Sequence, residues 1–272
     1  MLTQEGIVIK TIKYQETSKI AFILNENGIS SYLIRNANNF RSKNFSYSQD
    51  LLKISFDVAK KKTLKDSFDI ITSGKVVSNY SNIKNNIETL FNVVEILEIV
   101  YSLSMHVNDN KTFYNFLSNI LELIDEDVEC SKIYNLIFKI KLLYLLGIAP
   151  NLTYCSRCHK KDDLYSLQLD YGTSLCRDCF SLNDSMIYGR NYVVFKYLYV
   201  TKLDQLDKNF LKKNINDEVI INELNEFLDK YYDHYLSYKS KTQKIINKFS
   251  DWWIKITSFF HNNLVGGFLY AN

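Results

Sequence analysis

Residues 133–158, which read IYNLIFKIKLLYLLGIAPNLTYCSRC, decide how this chain folds. Residues 133–146 are apolar around most of the helical circumference, a pattern typical of a helix that is buried on all sides. Gly147 and Pro150 follow directly, and both residue types commonly end helices. The stretch therefore predicts a central buried helix that leads at once into the first of two cysteine pairs.

These cysteine pairs have the spacing of a metal site. Two residues separate Cys155 from Cys158 and Cys176 from Cys179, and seventeen residues lie between the pairs. This pattern falls within the range of zinc ribbons. Each pair can turn both thiolates inward, and two pairs complete a tetrahedral sulfur shell with Zn–S distances near ~2.3 Å. We therefore expect a structural Zn²⁺, because four thiolates leave no position for a substrate.

Other interpretations of the cysteines stay open. An iron–sulfur cluster or an unmetallated knuckle would have the same spacing, whereas two disulfides fit a cytoplasmic protein less well. His159 follows the second cysteine and could replace a cysteine ligand, although a solvent-facing histidine is the simpler interpretation.

The N-terminal part of the chain has short apolar and β-branched runs that are typical of strands. The runs are Gly6–Lys10, Ile20–Leu24, Ser31–Ile34, Leu51–Val58 and Phe68–Ile71. Residues 25–28 supply a hairpin turn between the second and third runs. Five short strands in succession predict a small barrel. The OB-fold, whose face and loops bind oligonucleotides, is favoured over an SH3-like barrel.

After Ser81 the apolar residues recur at intervals of three and four, which is the period of amphipathic helices. Besides the central helix, this spacing covers residues 83–97, 113–124 and 217–246. We therefore predict an α+β multidomain chain, with an N-terminal OB-fold β-barrel followed by an α-helical domain that carries an inserted four-cysteine zinc knuckle. The predicted boundaries are 1–78 for the barrel, 79–150 and 185–248 for the helical domain, 151–184 for the knuckle and 249–272 for a tail of unknown role.

Charge is unevenly distributed along the chain. Residues 1–80 carry twelve Lys or Arg against seven Asp or Glu, a net charge of +5, whereas residues 81–150 carry five against nine, a net charge of −4. This asymmetry favours a polyanion-binding module beside a helical scaffold, although a solvated basic face without a partner has the same composition. No basic-then-apolar leader and no run of eighteen apolar residues occurs, so we expect a cytoplasmic protein without a membrane partner.

Sequence signatures of catalysis are missing. The chain has no phosphate-binding P-loop, no dinucleotide-binding glycine motif and no nucleophile elbow. A zinc deaminase would need an open site and a nearby glutamate, which a four-cysteine site does not offer. We therefore predict no catalytic residues and a protein that is not an enzyme.

The order of barrel, helices and knuckle resembles the RecO family of bacterial DNA-repair proteins, and the resemblance covers residues 1–248. The most specific piece is Phe138–Leu143 running through Pro150 to the first cysteine pair. The segments that resemble the family's opening strands, its basic loop after the third strand and a basic segment of its last helix are Gly6–Lys10, Tyr14–Lys19, Asn27–Gly28, Arg35–Ala37, Arg41–Lys43 and Leu236–Lys241. Two departures occur: Tyr171-Gly172 replaces a Gly-Gly pair, and Asn36-Ala37 replaces a glycine-bearing loop.

The resemblance implies a nucleoid-associated recombination mediator that binds single- and double-stranded DNA, anneals complementary strands and helps load recombinase onto DNA covered by single-strand-binding protein. It implies two protein partners, RecR and the C-terminal tail of the single-strand-binding protein. Tyr14 or Tyr47 could stack on bases, although in a chain with twenty tyrosines a core or ordinary surface position is the simpler interpretation of either. The phosphate-contact candidates are the basic residues of the barrel: Lys10, Lys13, Lys19, Arg35, Arg41 and Lys43.

Two rival functions stay open at this point. One is a hydrolase or transferase with a structural zinc ribbon, in which the barrel would hold a substrate. The other is a ribbon-bearing assembly protein of ribosomes or transcription complexes. The tail, with Trp252, Trp253, Phe259 and Phe260, is most simply an extra packed helix, with a partner-docking or membrane-surface segment as the alternative.

Overall fold

A computed structural model describes residues 3–59, 68–183, 186–215 and 217–242. The predicted lysine-bearing connection at 60–62 and the tail at 249–272 lie outside the described residues. Contacts divide the chain into two units, Met1–Lys239 and Ser240–Asn272, and the elements below belong to the first. No helix in the described residues is long and apolar enough to cross a bilayer.

The N-terminal strands close into a five-stranded barrel of order β1-β2-β3-β5-β4, which confirms the predicted OB-fold. The strands are β1 Thr3–Tyr14, β2 Ser18–Asn25, β3 Gly28–Ile34, β4 Leu52–Ala59 and β5 Asp69–Ser78. Strands β3 and β5 pair in parallel, and the other neighbours pair antiparallel. The predicted turn at 25–28 joins β2 to β3, where Asn25 pairs with Gly28.

The middle of strand β1, residues 6–9, is buried on both faces. Val8 points into the barrel core, while Ile7 and Ile9 pack with the core of the helices. A register shift between Val8 and Lys10 marks a bulge in the pairing with β2. A Cβ on Gly6 would lie 2.5 Å from Cγ2 of Ile23, so only glycine fits there. The barrel is therefore anchored to the helices through β1.

The helices follow the barrel, and a small sheet interrupts them. The helices are α1 Ser81–Asn85, α2 Ile87–Leu103, α3 Asn110–Glu126, α4 Ser131–Leu145, α5 Arg190–Val200, α6 Lys208–Asn214 and α7 Glu218–Leu236. The small sheet, of order β6-β8-β7-β9, contains β6 Asn151–Cys155, β7 Leu164–Gln168, β8 Thr173–Cys176 and β9 Ile187–Tyr188. Side chains of Asn86, Asp109 and Asp217 accept hydrogen bonds from first-turn N–H groups and cap three of the helices.

Helix α4 is the predicted central helix, and eleven of its fifteen residues are buried. It ends in a Schellman motif, in which the N–H of Ile148 donates to the carbonyl of Leu143 and the N–H of Gly147 donates to that of Tyr144. Gly147 has a φ of +71°, the left-handed conformation that this motif requires. The predicted stop at Gly147 is confirmed.

The helix predicted over residues 217–246 is interrupted after Leu236: residues 237–240 are not helical, whereas residues 241–242 are helical again. Ser237 has a left-handed backbone with a φ of 51°, and its N–H still donates to the carbonyl of Asp233. The segment Leu236–Lys241, which resembles a basic segment of the family's last helix, therefore begins at the last residue of α7. Residues 243–246 lie outside the described residues. Helices α5 and α6 were not predicted, because α5 places valines and aromatic residues on several sides instead of on one stripe.

A buried ion pair lies among α2, α4 and α7. Nζ of Lys139 is 3.0 Å from Oε1 of Glu95, and both side chains are less than 5% exposed. The amide of Asn135 donates to Oε2 of Glu95 at 3.0 Å and to the carbonyl of Asn92 at 2.8 Å. Each carboxylate oxygen therefore has a partner, as a charge without water requires.

We expect Lys139→Met to lower the free energy of unfolding by about 3–5 kcal/mol, because it leaves the Glu95 carboxylate buried without its counter-charge. Urea denaturation checks this value. Adding Glu95→Leu should restore most of the loss, since a buried pair replaced by apolar groups is often neutral. Lys230→Met, which removes an exposed partner of Glu226 on α7, is the matched control and should change stability little. A single variant as stable as the wild type would contradict the account.

Candidate nucleic-acid interface and metal centre

The loop between β3 and β4 is fixed to the β1–β2 turn by an asparagine. The N–H of Asn38 donates to the carbonyl of Thr17 at 2.8 Å, and its side-chain amide donates to the carbonyl of Ser18 at 2.8 Å. Ala37 beside it is fully buried. The loop is thus held at one end of the barrel by both backbone and side-chain contacts.

A tight turn at Asn39–Ser42 forms the outer edge of this loop. The N–H of Ser42 donates to the carbonyl of Asn39 at 2.9 Å, and the N–H of Arg41 donates to the Asn39 side chain at 3.0 Å. Asparagine favours the first position of such turns because its side chain can make this bond. Phe40 and Arg41 therefore occupy the tip, and the Phe40 side chain is 74% exposed. The signal that could have singled out Phe40 is an aromatic residue inside a polar, basic loop.

The second half of the loop returns to the barrel through Tyr47. The amide of Asn44 donates to the carbonyl of Arg35 at 2.8 Å, and the Tyr47 hydroxyl donates to the Asn44 side chain at 2.6 Å. Tyr47 is only 2% exposed, and a Cβ on Gly74 would lie 2.8 Å from its ring. The suggestion that Tyr47 stacks on bases is therefore wrong, because its ring belongs to the barrel core.

Three of the six basic candidates, Arg35, Arg41 and Lys43, lie in this loop and are exposed. Among the described residues, no ion pair involves any of the three. We call Arg35, Phe40, Arg41 and Lys43 the basic loop. Its cations are therefore not neutralised by a carboxylate of the described chain.

The other three candidates have different surroundings. Lys13 is exposed and lies directly opposite Lys19 in the β1–β2 ladder, so both side chains share one face of the sheet. The ammonium of Lys19 donates to the carbonyl of Ser48 at 2.8 Å and to the Gln49 side chain. Burial lowers the pKa of Lys19, with Asp50 acting in the opposite direction. Lys19 therefore anchors the loop, and two of the three N–H groups of its ammonium already have partners within the protein.

Lys10 lies on the opposite face of the β1–β2 ladder. It pairs with Phe22 across the strands, and both side chains contact Tyr101 on α2. The Lys10 ammonium is 4.8 Å from the centre of the Tyr101 ring. The structure therefore brings together the basic loop and the Lys13–Lys19 face, but it does not place Lys10 with them.

The two cysteine pairs meet at one end of the small sheet. Cys155 ends β6, Cys176 ends β8, and the other two lie in the tight turns that follow. All four sulfurs lie within 4.8 Å of one another, and no disulfide joins them. A tetrahedral S₄ site with Zn–S near ~2.3 Å requires sulfur separations of ~3.8 Å, so the cluster needs only small shifts to fit a metal ion. Within the described residues, no other group of three or more His, Cys, Asp or Glu is arranged this way.

The surroundings of the sulfurs suit a cation. Burial of the Cys155 sulfur raises its pKa, but hydrogen bonds from the backbone N–H groups of Cys158, Cys176 and Arg157 outweigh this and lower the pKa to about 6. A hydrogen bond with the Cys158 sulfur, together with desolvation, raises the pKa of Cys179 to about 12. The sulfurs thus share protons that a divalent cation would displace. His159 is exposed and lies outside the sulfur cluster.

Tyrosine hydroxyls join the small sheet to α5 and α7. Tyr231 donates to the carbonyl of Ile148 at 2.9 Å, and Tyr235 donates to that of Leu169 at 3.0 Å. The hydroxyl of Tyr192 lies 2.9 Å from that of Ser174 on β8. Gly172, with a φ of +53°, brings the β7–β8 turn so close that a Cβ would lie 2.7 Å from the Tyr231 hydroxyl. The small sheet is therefore attached to the helical core through residues other than the four cysteines.

Comparison with known proteins agrees with this architecture. Two family models match the chain: recombination protein O N terminal at residues 1–80 and recombination protein O C terminal at residues 85–244. The DNA repair protein RecO of Bacillus pumilus is 24% identical over 254 residues, which cover 91% of this chain and 94% of that protein. The DNA repair protein RecO of Moorella thermoacetica is 26% identical over 250 residues, which cover 90% of each chain. That of Caldicellulosiruptor saccharolyticus is 28% identical over 218 residues, which cover 78% of this chain and 86% of that protein. With both family models covering the barrel and the helical core, the chain belongs to the RecO family of DNA repair proteins.

Proposed function

We propose that this protein is a recombination mediator that binds single- and double-stranded DNA at the basic loop, anneals complementary strands and helps load recombinase onto DNA covered by single-strand-binding protein. The observation that carries the proposal is a set of exposed cations, Arg35, Arg41 and Lys43, in an ordered loop at one end of an OB-fold barrel; none of them pairs with a carboxylate of the described residues. OB-fold loops are a common site of oligonucleotide binding.

The chemistry of the loop favours contacts with the DNA backbone over base recognition. Guanidinium and ammonium groups bind phosphate oxygens, which every nucleotide carries, so these contacts are independent of sequence. Cations that neutralise phosphates on one strand also lower the repulsion that keeps a second strand away. Such a surface accelerates annealing without ATP hydrolysis.

The proposal includes two protein partners and a cellular location. Family membership supports RecR and the C-terminal tail of the single-strand-binding protein as partners, with the tail on the helical domain. We place the protein in the cytoplasm, associated with the nucleoid. It acts without a catalytic step of its own, and incubation with DNA, Mg²⁺ and ATP should leave both strands and the nucleotide intact.

The four cysteines hold a structural Zn²⁺ in this proposal. Four thiolates favour zinc over harder cations, and they fill its tetrahedral shell completely. Zinc would cross-link β6 to the β7–β8 hairpin. The hydroxyl of Tyr192 on α5 and that of Tyr235 on α7 attach this hairpin to the helices. Its part is therefore to stabilise the knuckle, and it does not contact DNA.

We expect elemental analysis of freshly prepared, reduced protein to find one zinc per chain. Cys176→Ser should lose the metal and make residues 151–183 sensitive to protease, because metal binding and local folding are coupled. Cys130→Ser changes a cysteine outside the cluster and should keep its zinc, which makes it the matched control. Absence of zinc from the wild-type protein, or full zinc content in Cys176→Ser, would contradict the proposal.

Replacing Arg35, Arg41 and Lys43 together by alanine should weaken single-stranded DNA binding by about tenfold or more at low salt. The slope of log K against log salt should flatten by about 2, since each lost phosphate contact on a single strand removes about 0.7. Fluorescence anisotropy over a salt series measures both quantities, and a strand-pairing assay should show slower annealing.

The matched control removes three exposed lysines of the helical domain, Lys202, Lys213 and Lys230, and so makes the same change in net charge. It should bind DNA nearly as the wild type does. Equal losses in the two folded triple variants would show that only net charge matters. An unchanged affinity and slope in the loop variant would remove the basic loop from the binding site.

A further inference from the structure

We propose that Phe40 is the base-stacking residue of the basic loop and that its ring makes this loop bind single strands more tightly than duplex. This inference rests on the proposed DNA-binding function and names the side chain that distinguishes single-stranded from double-stranded DNA at the same site.

The first observation is the exposure of Phe40 on an ordered turn. Its ring is 74% exposed, although hydrogen bonds between Asn39, Arg41 and Ser42 fix the backbone on both sides of it. A ring on such a turn is held ready for a ligand, so little conformational entropy is lost when a base stacks on it. Exposed aromatic residues are common singly, so the surroundings of Phe40 must decide its role.

The surroundings of Phe40 are cationic. The guanidinium carbon of Arg41 is 5.5 Å from the centre of the Phe40 ring, and Arg35 and Lys43 lie in the same loop without an ion-pair partner among the described residues. A nucleotide whose base stacks on the ring can therefore place its neighbouring phosphates near these cations. Aromatic side chains interleaved with cations are the usual composition of surfaces that bind single strands.

The other aromatic residues of the barrel are less suited to this role. Among described residues 3–59 and 68–78, Phe40 has the one exposed aromatic side chain. Tyr14 packs edge-on against Phe68 with the ring centres 5.9 Å apart, and Tyr47 is buried. Phe22 contacts Tyr101 on the face that meets α2.

Stacking on Phe40 separates the two forms of DNA. In a duplex the bases are already stacked and paired, so only the phosphates are offered to the loop. In a single strand the base faces are free, and a base–aromatic stack adds affinity. The cations therefore serve both forms, whereas Phe40 serves only the single strand.

The test compares wild type, Phe40→Ala and Phe40→Tyr for binding to an oligothymidylate and to a duplex of the same length. We expect Phe40→Ala to weaken single-strand binding by roughly tenfold while leaving duplex binding and the single-strand salt slope unchanged, because no phosphate contact is lost. Phe40→Tyr keeps an aromatic ring and should restore the preference. Thermal unfolding should be unaffected in both variants, since the side chain is exposed.

The outcomes separate this inference from the function on which it rests. If the Arg35, Arg41 and Lys43 variant loses binding while Phe40→Ala binds single strands as the wild type does, the stacking role is wrong and the binding site stands. An equal loss on both DNA forms, or on single strands for Phe40→Ala and Phe40→Tyr alike, also overturns the stacking role. If the wild-type protein binds neither DNA at low salt, the proposed function itself fails.

Discussion

Burial of most of α4 is the constraint on which the first unit depends. This helix packs against α2, α3, α5 and α7, so the helices on every side of it take their positions from its surface. Lys139, the buried charge in its middle, is tolerated because its ammonium donates to Oε1 of Glu95 while the amide of Asn135 donates to Oε2, which closes the polar network. A network satisfied in this way also restricts how α2 and α4 can pack, since any other register would leave a charge buried alone.

The C-terminus of α4 carries this constraint to the cysteine cluster, whereas the barrel contacts the helical core through α2 and α3. At its C-terminus, the Schellman motif and Pro150 lead directly into β6, which ends at Cys155. The cysteine cluster is then fastened by tyrosine hydroxyls from α5 and α7. The barrel meets the same helical core through Ile7 and Ile9 of β1, and the side chains of its basic loop are exposed. One helical core thus holds both a sulfur cluster and a cationic loop as separate surfaces.

Local patterns in the sequence predicted the elements whose signals are local. The cysteine spacing, the apolar circumference of residues 133–146 and the β-branched runs each determine structure within a few residues, and the structure has all three. Features that depend on distant partners could not be predicted. The contact of Lys10 with the Tyr101 ring on α2 is one such feature, and the burial of Tyr47, for which Gly74 leaves room, is another. That Lys10 and Lys13 lie on opposite faces, by contrast, follows from strand alternation alone, because they are three residues apart in a regular part of the ladder. Helix α7 ends at Leu236 although apolar spacing continues, because Ser237 adopts a left-handed backbone.

The basic loop also combines features that its local sequence predicts with features that depend on distant contacts. Its charges were visible in the sequence, but the exposure of Phe40 depends on the turn at Asn39–Ser42 and on the anchoring of Asn38 to the β1–β2 turn. Ultraviolet cross-linking of a single-stranded oligonucleotide to the wild-type protein, followed by mass spectrometry of the peptides, tests the central claim most directly. The account predicts that most adducts fall within residues 35–48. Adducts concentrated on the cysteine knuckle or on α7, with none in the basic loop, would contradict it.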